Sequence, residues 1–171
     1  MAETFNAFFG GVAFAATKNM AALINKHASE LLKVRRITLF NSQTSAVTGV
    51  ICQIELRKCA GFSLTGPTAV TPTKYDSNNT LPANYETSHA GTIAASTQET
   101  LRRIVWSSDE AAVSALTSDE VENFPPLNVL YEWQPHSDVQ PIVLRQNEGI
   151  MVYNVSGAAG LLDVAIEFTR E

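Results

Sequence analysis

The stretch Val139-Gln-Pro-Ile-Val-Leu-Arg145-Gln-Asn-Glu-Gly149-Ile-Met-Val-Tyr-Asn-Val155, with Leu161-Leu-Asp-Val-Ala-Ile-Glu-Phe-Thr169 after it, decides the fold class. Apolar runs flank the polar turn Arg145–Gly149, and Ser156-Gly-Ala-Ala-Gly160 leads into the last run. Gly149 and Gly160 are expected to supply the positive φ of tight connections, while Val and Ile suit pleated strands. Val164, Ile166 and Phe168 fall on one face; Asp163, Glu167 and Thr169 fall on the other. This period of two marks a strand with one face in a core. The three runs read as a closing meander, and the chain as a β-sandwich.

Working outward, the same period recurs in Val34–Phe40. It is cleanest in Thr48–Lys58, where Val50, Cys52, Ile54 and Leu56 alternate with Gln53, Glu55 and Arg57. Leu101–Ser107 and Leu127–Trp133 read as further strands. Residues 61–100 form an excursion punctuated by Pro67, Pro72, Pro82 and several glycines, with short strands near Thr68–Thr73 and Thr92–Ala95. Ser108–Phe124 is acidic and ends at Pro125-Pro126. About eight strands result, a count that suits a sandwich or jelly roll.

Residues 1–33 read differently, as an N-terminal arm ahead of a sandwich domain over 34–171. Thr17–Leu32 places Met20, Leu23, Ile24, His27, Leu31 and Leu32 near one helical stripe, predicting a short helix. Ahead of it, Phe5, Phe8, Phe9, Val12 and Phe14 are too apolar for a solvated tail, each buried Phe being worth ~1.5–3 kcal/mol. The arm either folds back on its own sandwich or docks on another chain. The lack of a turn-rich break before the helix favours docking, which makes these five residues the candidate interface. Glu3 precedes the apolar part and Lys18 follows it, the reverse of a secretory signal, so the segment is expected to be mature sequence.

Composition narrows the function classes. The chain has 171 residues, 45% of them apolar, enough for one domain with a real core. A net charge of -5 argues against general nucleic-acid binding. Charged residues make up 17%, below the ~25% usual for soluble domains, which implies much neutral polar surface. No run approaches the ~18 apolar residues of a membrane span. Cys52 and Cys59 lie an odd seven positions apart, on opposite faces of one strand and beyond disulfide reach, so two reduced thiols are expected.

Catalytic patterns are missing from the sequence. His27, His89 and His136 are scattered without metal-ligand spacing, so neither metal nor cofactor is expected. Asp109-Glu110 and Asp119-Glu120 are adjacent acids of one loop, whereas glycoside chemistry needs carboxylates held across a cleft. There is no GxSxG elbow, Walker A loop or GxGxxG fingerprint. Trp106, Trp133, Tyr131 and Tyr153 lie in strand runs, where aromatics fill core or interface. Tyr75 and Tyr85, in the polar excursion, are the rings expected to be exposed for contacts.

The succession Lys33-Val-Arg-Arg-Ile37, Ile54-Glu-Leu-Arg57, Thr71-Pro-Thr-Lys-Tyr-Asp76, Arg102-Arg-Ile-Val-Trp-Ser107, Val139–Arg145, Glu148-Gly-Ile150 and Ala165-Ile-Glu-Phe168 resembles the jelly-roll cement or decoration proteins of tailed bacteriophages. The resemblance spans most of residues 33–171 and rests on strand and turn patterns. It implies a non-enzymatic virion protein, trimeric, seated on the capsid surface against the major capsid protein and assembled in the host cytoplasm. Direct nucleic-acid and membrane partners are not expected. The rival reading is a phage tail or receptor-binding component that meets host glycans through the Tyr75–Tyr85 excursion.

Overall fold

A computed structural model describes residues 2–13, 18–42, 51–107, 129–155 and 160–171, with the backbone alone described at 51, 52, 95, 106 and 107. Phe14, the acidic segment 108–124, strand residues 48–50 and 127–128, and the side chains of Cys52 and Trp106 therefore lie outside the description. Twelve strands are described: β1 Glu3–Ala13, β2 Asn19–Asn25, β3 Leu32–Asn41, β4 Ile51–Thr65, β5 Thr68–Ala69, β6 Thr73–Lys74, β7 Tyr85–His89, β8 Thr92–Ser107, β9 Val129–Trp133, β10 Ile142–Leu144, β11 Glu148–Asn154 and β12 Leu161–Arg170. They form two antiparallel sheets. The first runs β10-β3-β12-β1-β6, with β9 also paired to β3, and the second runs β5-β7-β2-β11-β4-β8. The fold is all-β and consistent with a sandwich.

Residues 1–33 correct the sequence reading. The expected helix over Thr17–Leu32 is absent, and β2 lies inside the second sheet between β7 and β11. All seven of its residues are buried. Ala21 and Leu23 face the main core, while Ala22 and Ile24 face a second cluster on the sheet's other side. A strand buried on both faces loses its alternation, and Met, Ala and Leu then mimic a helical stripe. Nor does the arm stand apart from the sandwich. β1 pairs with β12 from Glu3 to Ala13 and puts Phe5, Ala7, Phe9 and Val12 into the core. The Phe5 ring lies 5.5 Å from that of Phe168.

The closing runs are strands, but they are no meander. β10 and β12 belong to the first sheet and β11 to the second, so the chain crosses between sheets twice. The alternation within β12 holds, with Leu162, Val164, Ile166 and Phe168 all fully buried. At the first crossing the positive φ belongs to Asn147 (61°), while Gly160 has its own (144°) ahead of β12. Buried Asn25 anchors this crossing. Its Nδ2 donates to Leu144 O (2.9 Å) and Glu30 O (2.7 Å), and its Oδ1 accepts from the His27 amide.

The excursion over 61–100 is also more ordered than expected. Thr68–Thr73 is divided between two sheets as β5 and β6, and Thr92–Ala95 continues through Leu101–Ser107 as the single strand β8. Register slips near Ala60–Leu64 and a positive φ at Gly61 turn the far half of the β4–β8 strand pair. Phe62 thereby reaches the outer side of the second sheet and joins Ala22, Ile24, Cys59 and Met151 in the smaller core. Cys59 is a free thiol there, and burial pushes its pKa up to about 11.

Candidate interaction surface

Inward residues of β1 and β12 fill the core, so their outward neighbours build the open face of the first sheet. Two rows cross it. One runs Asn6, Glu167, Arg36, and the next runs Phe8, Ala165, Thr38, Glu132. Phe8 is 48% exposed on a strand whose alternate residues are buried. Val129, opposite Phe40 on β9, is 46% exposed.

Charge on this face is paired. Arg36 donates to Glu132 through Nε (3.0 Å) and Nη2 (2.5 Å), and its Nη1 lies 3.8 Å from Glu167. The hydrogen bond to Glu132 is the main cause that raises the Arg36 pKa. Tyr75, which follows β6, comes across the sheet edge, where its amide donates to Thr4 O (3.2 Å). Partial burial and the nearby Glu167 carboxylate raise the phenol pKa. The residue stays 58% exposed. Exposed rings on a face that also carries a forked ion pair can pack apolar groups and satisfy polar ones.

A second polar cluster lies on the outward side of β4 and β8. Glu55 is 3% exposed and accepts from Arg103 through Nε and Nη2 (2.9 and 2.6 Å), from Arg57 (2.7 Å) and from Thr100 (3.2 Å). Burial pushes its carboxyl up, but the bonds from Arg103 and Arg57 outweigh that and hold the pKa below the usual carboxylate value. The Arg57 guanidinium also lies 3.8 Å from the Tyr153 ring centroid. Glu55 thus finds its partners within the β4–β8 pair, and both of its oxygens are used.

The five expected interface residues are thus divided. Phe5, Phe9 and Val12 belong to the chain's own core, which corrects their assignment to a docking arm, and Phe8 alone of the described four faces outward. The physical reason is strand alternation, which sends neighbouring aromatics to opposite faces. Tyr75 is exposed as expected. Tyr85 is not a loop ring: it lies in β7, half-buried against the main core, on the other sheet. His27, His89 and His136 stay apart, and among the described residues no three His, Cys, Asp or Glu side chains are grouped to hold a metal. Sequence reading missed the Arg36–Glu132–Glu167 and Glu55–Arg57–Arg103 groups. Arg57 was signalled by its place two residues from Glu55, whereas the cross-strand partners needed the register. The chain matches no protein-family model, no curated protein and no solved structure.

Proposed function

We propose that this protein is a non-enzymatic structural component of a tailed-phage head, a jelly-roll decoration protein that binds the capsid surface and stabilises the shell. The observation that carries the reading is the open face of the first sheet, where Phe8 and Tyr75 stand exposed around the paired charges of Arg36, Glu132 and Glu167. Large exposed rings beside compensated charges suit contact with a protein surface. Many copies on a lattice bind with avidity although each contact is modest, and three-fold association of the chain belongs to the same proposal. The sequence resemblance supplies the identity of the partner, the major capsid protein.

The test is co-sedimentation of the purified chain with expanded shells, followed by electron microscopy of the decorated particles. Density for the chain on the outer shell, lost in the double variant Phe8→Ala/Tyr75→Ala, is the expected result. Shells that stay bare at micromolar protein overturn the reading. One observation favours a second reading, host-glycan recognition by a tail component: Tyr75 stands exposed beside β6. Binding to a glycan array that disappears with Tyr75→Ala alone would decide for it.

A further inference from the structure

We propose that the edge of β1 from Phe8 to Gly10 is a strand-acceptor slot, which takes one extended, uncharged segment of a partner polypeptide as an added strand of the first sheet. β6 pairs with β1 only at Phe5 and Asn6, and the Tyr75 amide reaches Thr4 O beyond it. The backbone groups of Thr4 and Asn6 therefore point to this edge, and alternation points those of Phe8 and Gly10 the same way. Among the described residues no strand pairs with them there.

Two observations say what fits. β1 packs over β2 and β7, with the Phe9 ring edge-on to His89 at the end of β7. β5 continues the second sheet one strand further, pairing Thr68 with His89. The second sheet thus projects past β1 by a ledge about one strand wide. A single strand fills that width, whereas a whole second sandwich would meet the ledge. The edge at β8 shows the opposite character. Arg102, Arg103 and Glu99 are exposed along it. Charges are a device that keeps strand edges from pairing, and β1, although it bulges beyond Phe9, has none there. Ala7-Phe-Phe-Gly-Gly-Val-Ala13 carries no charge at all. Backbone pairing would supply affinity, and the exposed Phe8 ring would prefer small or apolar side chains opposite it. The slot stands on the backbone alone; only naming its occupant as a shell-protein segment rests on the function proposed above.

The experiment is amide hydrogen exchange on the full chain with a capped, uncharged synthetic peptide copying Leu161–Thr169 with Asp163→Asn and Glu167→Gln, after the strand β1 already accepts on its other edge. At millimolar peptide the Phe8 and Gly10 amides are expected to slow at least tenfold. Phe8→Lys, which places a charge on the edge, is expected to remove that slowing without lowering the melting temperature. No slowing, or equal slowing in Phe8→Lys, overturns the slot. Free protein that sediments as a dimer with both amides already protected also overturns it, because the occupant is then a second copy. With expanded shells as the probe, binding that leaves both amides unprotected overturns the slot and spares the proposed function. Peptide protection without shell binding spares the slot and overturns the function.

Discussion

Gly149 of β11 lies directly beneath the ring of Phe62: a Cβ at 149 would stand 2.6 Å from Phe62 Cδ1 and 2.9 Å from Leu23 O. The contact closes the smaller core over the outer side of the second sheet. What this position requires is space, because its neighbour Asn147 carries the positive φ of the turn.

Gly149→Ala should therefore cost about 1–3 kcal/mol by overpacking and lower the melting temperature by several degrees. Adding Phe62→Leu should return part of the loss, because a shorter side chain leaves room for the methyl. Thermal melts of the two single variants and the double variant check the coupling. Strict additivity would mean that the two residues do not share the contact.

β12 offers a test of register. Phe168→Ala removes a fully buried ring packed on Phe5 and should cost ~3–5 kcal/mol. Glu167→Ala, one position away on the outward face, breaks a 3.8 Å ion pair with Arg36 and should cost less than about 1 kcal/mol. Denaturant unfolding of both variants gives the comparison. Equal costs would put the strand in the wrong register.

Deleting residues 1–13 should abolish folding. β1 pairs with β12 along its length and contributes Phe5, Phe9 and Val12 to the core, so the truncation removes a strand with its side chains. Far-ultraviolet circular dichroism and a melting curve read the outcome. A truncated protein that melts cooperatively at the full-length temperature would return the segment to the status of a separable arm.

Acid should weaken the fold in two windows. Burial lowers the folded-state pKa of His89, whose Nδ1 has no hydrogen-bond partner among the described residues, from the ordinary 6.5. The unfolded chain then takes up the proton first, so stability falls as pH drops below 6.5. The Glu55 pKa is also lowered, from 4.5, by Arg103 and Arg57 outweighing burial. Its contribution is present above that value and is lost as pH falls through the lower folded value. Melting temperature against pH should show both declines, with His89→Gln flattening the upper one and Glu55→Gln the lower.

The strand alternations of β12 and of Ile54-Glu55-Leu56 were legible because each strand has one dry face, and a period of two survives in the residue order. Over Val34–Phe40 it survives only from Arg36 on, because Arg35 is bulged out and Val34 joins Ile37 and Leu39 in the core. β2 was illegible for the converse reason. With both faces buried its residues need only be small or apolar, and Asn19-Met-Ala-Ala-Leu-Ile-Asn25 then satisfies a helical template equally well. The exposed Tyr75 was readable from its Pro- and Asn-rich surroundings, but its amide bond to Thr4 O joins residues far apart in the chain and no local pattern encodes it.

By itself, then, the sequence determined the all-β class and the core face of its clearest strands, since side-chain alternation is a local property of the extended chain. Only the tertiary structure decided which strands are neighbours. It separated β10, β11 and β12 between two sheets, drew Phe5, Phe9 and Val12 into the chain's own core, and left Phe8 outside. Strand pairing is set by contacts between residues far apart in the chain, and that information is absent from any single run of it.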